Sequence, residues 1–395
     1  MITTPKGFTF AAISAGFKDS NKPDLALAVC EGRAAAAGVF TTNLFQAAPV
    51  AVGKEHISDG FARAVLINSG QANACTGEDG LKDCRATIAM AAKATGLEET
   101  DILPASTGVI GPRMNMGAWE KAVPELVGRL GGDTPQDFAR AIMTTDAFPK
   151  IATAQVTCGD KGAIKVLGVA KGAGMICPNM ATLLGVIFCD AGIKAEQWSE
   201  ILRYAVGESF NRITVDGDTS TNDTIYGLAS GASGVEVEKG GESECDLAET
   251  VAQVCQELAY MVVEDAEGGT KVMSIAVTGA ADEAQAELAA RAVGNSQLVK
   301  TAMFGRDPNW GRIVAALGRS GAAFDPGQVS VAIADTPIFI CGQPVREDYK
   351  TILAAPMRRT NIDLAISLGQ GPGEFYLLAS DLSNDYVILY AESTT

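Results

Sequence analysis

Strands and helices alternate in no fixed order along these 395 residues, and several neighbouring strands are joined by turns too short to hold a crossover helix. Both observations predict an α+β fold rather than a doubly wound parallel sheet. A third, 43 glycines that gather at turns without any repeat, predicts tight connections between strands. The length exceeds what one compact core holds and predicts two or three structural units.

From the start of the chain, the apolar runs Phe10 to Ile13, Leu25 to Val29, Ala48 to Val52 and Ala64 to Ile67 are bounded by Gly, Asn and Asp and predict strands. The small, polar segment Gly70 to Gly77 predicts a loop, followed by an amphipathic helix from Lys82 to Ala94 that Gly96 closes. Helices are predicted over Trp119 to Leu130 and over Pro135 to Met143, with Thr134 as N-cap. Ile151 to Val156 and Ala163 to Val169 predict a hairpin turning at Gly159-Asp160-Lys161-Gly162. Leu183 to Cys189 predicts a buried strand, and Ala195 to Phe210 and Val251 to Val263 predict helices. Val272 to Val277 predicts a strand, with the boundary between lobes just after it, giving lobes of about 1–278 and 279–395. Glu374 to Ala379 and Tyr386 to Ala391 predict strands at the end of the chain.

Composition narrows the function. With 47% hydrophobic and 20% charged residues the chain reads as an ordinary globular protein. A net charge of −16 disfavours nucleic acid and anionic membranes as partners. No apolar run nears the ~20 residues of a membrane helix, and the first residues lack a signal-peptide shape, so a cytoplasmic location is expected. Nine cysteines without any Cys-x-x-Cys pair argue against a disulfide framework and a zinc site. The single histidine, His56, leaves little room for Ser-His-Asp or Cys-His catalysis and makes a histidine-held metal implausible. No metal and no cofactor are expected.

A nucleophile that serves as its own base fits this poverty of histidine. Lys171-Gly172-Ala173-Gly174-Met175-Ile176-Cys177-Pro178-Asn179-Met180-Ala181-Thr182 sets a glycine-rich approach and a threonine directly before a rigid apolar strand. Attack of Thr182 Oγ on the Ala181 carbonyl, an N→O acyl shift and hydrolysis would make Thr182 a new N-terminus. Its α-amino group, with a reference pKa of about 7.7–8.0, can then take the proton of its own hydroxyl. Threonines also open many ordinary strands, so the local pattern alone leaves both readings open.

The segment resembles the cleavage site of the glutamate N-acetyltransferase/ornithine acetyltransferase family of arginine biosynthesis. Ala105-Ser106-Thr107-Gly108-Val109-Ile110-Gly111, Ile142-Met143-Thr144-Thr145-Asp146, Phe210 to Asp223 and Asp307-Pro308-Asn309-Trp310-Gly311-Arg312 are similar to the same family, in its order and over nearly the whole chain. The resemblance implies an α-β-β-α layered sandwich with a smaller C-terminal α/β domain, and cleavage into an alpha chain 1–181 and a beta chain 182–395. It further implies a heterotetramer of two alpha and two beta chains. The implied activity moves acetyl from N2-acetylornithine to glutamate through acetyl-Thr182, and acetyl-CoA is admitted as a second donor substrate.

The same resemblance implies that Thr107 and Gly108 form the oxyanion hole, and that Thr145, Lys171, Thr182, Glu267 and Thr395 contact substrate. Lysine suits the carboxylates of amino-acid substrates, and the Glu267 carboxylate would pair the δ-ammonium of ornithine. In Asp265-Ala266-Glu267-Gly268-Gly269-Thr270-Lys271, Ala266 and Gly269 depart from the family pattern while the glutamate stands. The family commonly places an asparagine where this chain has Tyr390, which lacks an amide's paired donor and acceptor. Asp216 to Asp223 reads as a turn network bracing the site, since the calcium-loop pattern is missing. Arg306 to Arg312, a turn with two guanidinium groups, reads as a packed turn in preference to a phosphate contact such as one to acetyl-CoA. Rival expectations are a self-processed aminopeptidase or amidohydrolase of the same fold, and a small-molecule binding protein with an inert Thr182.

Overall fold

The computed structural model describes residues 2–18, 22–159, 162–177 and 183–392, and they form two compact units. The first takes Met1–Asn211 and Asp218–Val262, the second Arg212–Gly217 and Val263–Ser393. The elements, in order, are β1 (Phe8–Ile13), β2 (Leu25–Phe40), α1 (Ala48–His56), β3 (Phe61–Gln71), α2 (Gly77–Thr95), β4 (Ile102–Val109), α3 (Met116–Gly128), α4 (Pro135–Ile142), β5 (Lys150–Thr157), β6 (Ala163–Lys171), β7 (Leu184–Cys189), α5 (Ala195–Gly207), β8 (Ile213–Thr214), β9 (Thr224–Ala229) and α6 (Glu242–Glu264). They continue with β10 (Val272–Ala280), α7 (Glu283–Gly294), α8 (Gln297–Phe304), α9 (Trp310–Gly318), β11 (Ser330–Ile333), β12 (Thr336–Ile340), β13 (Gln343–Pro344), α10 (Tyr349–Leu353), β14 (Asn361–Ser367), β15 (Gly373–Ser380) and α11 (Asn384–Glu392).

In the first unit the strands follow one hydrogen-bonded path, β4-β3-β2-β9-β7-β6-β5, with β1 paired to β2. β2 is long enough to serve two layers. Its Leu25–Val29 half pairs with β1 and β3, its Ala35–Phe40 half pairs with β9, and the register shifts between Val29 and Ala34. A strand that changes layer at a bulge folds a sheet into a sandwich. Side-chain alternation then makes the layers. Ala26, Ala28, Val65, Ile67 and Leu103 face inward onto Val169, Val186, Phe188 and Leu228, with Phe138 of α4 between them. Leu25, Leu27, Ala64, Leu66 and Ile102 face outward onto Ile88 of α2 and Trp119 and Val123 of α3. On the far side, Trp198 and Leu202 of α5 lie over Gly227, and Val254 and Leu258 of α6 lie over Gly168. The order is helix, sheet, sheet, helix, as the resemblance implied.

The second unit holds a seven-stranded mixed sheet, β13-β12-β11-β14-β10-β15-β8, in which β10 runs parallel to β14 and antiparallel to β15. β14 shows strict alternation, with Ile362, Leu364 and Ile366 buried and Asn361, Asp363 and Ala365 exposed. Its apolar face is covered by Ala286, Ala289 and Val293 of α7, Val299 and Met303 of α8 and Ile313 of α9. The Arg306–Arg312 turn is a packed one: Arg312 donates to Leu298 O at 2.8 Å and Trp310 stacks on Phe339 at 5.2 Å.

Three expectations are corrected. Ala48 to Val52 is the start of helix α1, not a strand, because Pro49 suits a first helical turn and the segment continues to His56 at its C-terminal end. Tyr386 to Ala391 is helix α11. Its β-branched run favours a strand locally, but Ser383 Oγ accepts the Tyr386 N–H and the i,i+4 pair Tyr386 and Tyr390 stacks at 4.6 Å. The unit boundary lies at 262/263, not after 278, because β10 is a central strand of the second sheet. Elsewhere the helix signals held: Thr134 and Asp137 complete a capping box on α4, and Gly96 caps α2 with φ +74°. The turn at 159–162 includes positions outside the described residues.

A Cβ added at Gly168 would lie 2.6 Å from Leu258 Cδ1 and Val254 Cγ1, so α6 can approach β6 only over a bare backbone. Gly168→Ala should therefore destabilise the protein by about 1–3 kcal/mol, read as a lower urea midpoint with an unchanged slope. An unchanged midpoint would show that α6 yields without cost.

Candidate active site

β3 and β4 lie parallel, with Ser69 opposite Thr107 and Gly70 opposite Gly108. At Gly108 the backbone takes φ +132°, and a Cβ there would sit 2.3 Å from the Gly70 carbonyl carbon. Only glycine meets both demands, which explains why this residue type stands in the turn. The preceding residues are braced from two sides. Ser106 Oγ donates to Asn68 Oδ1 at 2.6 Å, and Asn222 Nδ2 donates to Ser106 O at 2.8 Å and Ala72 O at 2.6 Å. Thr107 is buried, and its hydroxyl oxygen accepts from Lys171 Nζ at 3.4 Å.

Lys171 ends β6 and is buried at the level of Leu184, its partner in β7. The residue just before β7, Leu183, is fixed at both polar atoms. Its N–H donates to Asp223 Oδ1 at 3.0 Å and its carbonyl accepts from Thr224 N at 3.0 Å. Burial pushes the Asp223 carboxyl well above the usual range. The Asp216–Asp223 segment therefore braces the site as expected, through Asn222 and Asp223.

Asp146 holds the other side. Its Oδ1 accepts from Lys150 Nζ at 2.7 Å and from Gly172 N at 2.7 Å, and its Oδ2 accepts from Thr144 N at 2.9 Å and lies 3.9 Å from Lys171 Nζ. Burial alone would raise this carboxyl, but Lys171 and Lys150 overcome it and hold it down to about 2. The arrangement ties the 144–146 turn to the ends of β5 and β6. Thr145, exposed beside it, sits at the edge of the same cluster.

Thr107, Gly108, Lys171 and Thr145 thus converge in the first unit. Glu267 belongs to the second unit and is half-buried, with the Tyr390 phenol beside its carboxylate. The expected cleavage pair Ala181 and Thr182, and Thr395, lie outside the described residues. Sequence reasoning passed over Asp146 and Lys150 as carriers of the site, because a charged pair four residues apart outside a helix carries no periodic signal. His56 is structural: its Nδ1 lies 2.9 Å from Ile102 O in the buried end of α1. All nine cysteines are free thiols. No helix among the described residues is long and apolar enough to cross a membrane.

Asp146→Asn removes the buried carboxylate that faces Lys150 and Lys171 and should cost about 3–5 kcal/mol at pH 7. Because the folded carboxyl titrates near 2 and an unfolded one near 4, the wild type's advantage is complete above pH 4 and shrinks as pH falls from about 4 to 2. Urea unfolding at pH 7 and pH 3 measures both. A gap that does not narrow at pH 3 would show that ionisation of Asp146 is not what stabilises the fold.

The ArgJ family profile matches residues 9–395. The chain is 55% identical over 388 residues, 98% of each chain, to the arginine biosynthesis bifunctional protein ArgJ of Nitratidesulfovibrio vulgaris. It is 42% identical over 391 residues, 99% of each chain, to the protein of the same name from Geobacter sulfurreducens. The crystal structure of the arginine biosynthesis bifunctional protein ArgJ from Bacillus halodurans is similar with a TM-score of 0.50 at 33% identity, over 52% of this chain and 96% of that one.

Proposed function

We propose that this chain, which belongs to the ArgJ family, is a self-processed acetyltransferase of arginine biosynthesis that transfers acetyl from N2-acetylornithine to glutamate. The observation that carries the reading is the joint placement of Thr107, Gly108 and Lys171 around the anchored residue that follows Thr182. Thr182 Oγ attacks the acetyl carbonyl while its own α-amine takes the hydroxyl proton. The oxyanion forms against the Thr107 hydroxyl and the Gly108 N–H, donors that gain strength as charge appears. The α-ammonium then protonates the leaving amine, ornithine departs, and the amine of glutamate takes acetyl from Thr182.

Lys171 and Thr145 receive the substrate carboxylate in this reading, Glu267 receives the side-chain ammonium, and the chain's last residue, Thr395, completes the contacts. Acetyl-CoA enters as a second donor substrate, in keeping with the word bifunctional in the relatives' names. No metal or bound cofactor is required. The working form is a heterotetramer of two alpha and two beta fragments in the cytoplasm.

Purified protein should resolve by intact-mass analysis into fragments 1–181 and 182–395, and Thr182→Ala should give one uncut, inactive chain. An active preparation containing only full-length chain would sink the reading. Brief exposure to N-acetylornithine without glutamate should add one acetyl group at Thr182, and initial-rate plots should run parallel. Release of free acetate at the rate of ornithine release, with or without glutamate, would identify an amidohydrolase instead. Thr107→Val should lower kcat about 10²–10³-fold with the chain still folded.

A further inference from the structure

Lys18 is a charged group beside the oxyanion turn that the mechanism above leaves without a task. It is held there by a built loop. Asp24, fully buried, accepts hydrogen bonds from Ala15 N at 2.6 Å, Phe17 N at 2.6 Å and Lys18 N at 3.1 Å. This fixes the backbone on both sides of Gly16. The loop is laid directly on the site: a Cβ added at Gly70, the residue opposite Gly108, would meet Phe17 O at 2.6 Å and Lys18 Cγ at 3.2 Å.

The half-buried ammonium donates to Met143 O at 2.7 Å and to Pro23 O at 3.0 Å. An ammonium has three N–H donors, so two are used. Met143 leads into the Thr144–Asp146 turn, whose carboxylate also faces Lys171. The charged groups in the field of Lys18 are Asp24, Lys171, Asp146 and Lys22. Lys171 therefore stands as a second cation on the same side, and the two repel. Asp24 and Asp146 offset part of that repulsion, and a bound carboxylate would offset more of it.

We propose that Lys18 is a second cation of the subsite that binds the α-carboxylate of the amino-acid substrates, its third N–H completing the contact begun by Lys171. The proposal rests on the reading that N-acetylornithine and glutamate, both α-carboxylates, share this site. Burial, helped by Lys171, lowers the Lys18 ammonium to about 8 against the pull of Asp24. The contact is therefore strongest below pH 8 and fades as pH rises through that value.

The test is steady-state kinetics of the self-processed enzyme, wild type, Lys18→Met and Lys18→Arg, with thermal midpoints recorded for each. Lys18→Met should raise KM for both N-acetylornithine and glutamate about tenfold to a hundredfold, as a lost hydrogen bond to a charged group does, with the loss in KM rather than kcat. Wild-type KM should climb above pH 8. In Lys18→Arg, whose guanidinium stays charged, that climb should be absent. A Lys18→Met KM within twofold of wild type for both substrates would overturn the proposal. So would a loss confined to kcat and thermal midpoint, which marks a loop strap only, or a Lys18→Arg profile that climbs as the wild type does. If the wild type transfers no acetyl group, the parent reading fails instead. Calorimetric titration of glutamate into wild type and Lys18→Met then decides Lys18 alone: equal affinities overturn it and weaker binding to Lys18→Met supports it.

Discussion

A carboxylate removed from water keeps its charge only if cations and N–H groups replace the solvent it lost. At Asp146 they do so completely, and the site depends on that replacement. Lys150, the Gly172 N–H, the Thr144 N–H and, more distantly, Lys171 all converge on one carboxyl group. Each comes from a different piece of chain: the turn before β5, the start of β5, the end of β6 and the glycine segment that follows it. Because Gly172 opens the segment leading to Ala181, the carboxylate anchors one end of that approach. Asp223 anchors its other end through the N–H of Leu183. The two carboxyl groups are treated oppositely by their surroundings. Two ammonium groups hold the Asp146 carboxyl down, whereas at Asp223 burial outweighs Lys171 and the hydrogen bonds it accepts and pushes the carboxyl well above the usual range.

Much of the architecture was legible because it rests on local signals. Thr134 with Asp137, and Gly96 with φ +74°, end their helices by backbone satisfaction that needs no tertiary partner. The glycine of the Thr107–Gly108 pair was legible as a turn residue, although its reason is tertiary: the Gly70 carbonyl leaves no room for a Cβ. The failures have a common cause. Ala48 to Val52 and Tyr386 to Ala391 are short and rich in β-branched residues, and periodicity over five or six residues cannot separate strand from helix. Their conformations were decided by neighbours, Pro49 in one case and the Ser383 cap with the Tyr386–Tyr390 stack in the other. The unit boundary failed for a topological reason. A strand's sheet is set by its partners, and β10 pairs with β14 and β15, residues some 90 to 110 positions later.

The residues of the proposed site and its supports divide in the same way. Thr107, Gly108 and Lys171 were reached through resemblance, and geometry then gave each a physical reason to stand where it does. Asp146, Lys150 and Asn222 could be located only in three dimensions. Asn222 joins two strand ends by donating both N–H groups of one amide, to Ala72 O and Ser106 O. Nothing in its sequence context distinguishes that asparagine from the ordinary turn asparagine it resembles.

The C-terminal helix shows how far a single departure from a family pattern can be carried by argument. Gly268 has φ +66°, and a Cβ there would lie 2.4 Å from Tyr386 N. The Glu267–Gly268 loop and the start of α11 therefore touch backbone to backbone, with Ser383 Oγ donating to Gly268 O. Asp381 extends the clamp by accepting from Thr270 N at 2.7 Å and Lys271 N at 3.0 Å. A helix seated this closely must present position 390 to Glu267, one turn beyond Tyr386. An asparagine there could offer donor and acceptor to a ligand at once. A tyrosine offers one hydroxyl, and that hydroxyl stands beside Glu267. The substitution thus leaves the carboxylate in place but alters what surrounds it: burial and the adjacent Glu267 charge push the phenol well above its ordinary range, so it stays a neutral donor. A carboxylate beside one phenol still has acceptor positions for an ammonium, so in the proposed reading the exchange bears on affinity rather than on the acyl-transfer chemistry itself.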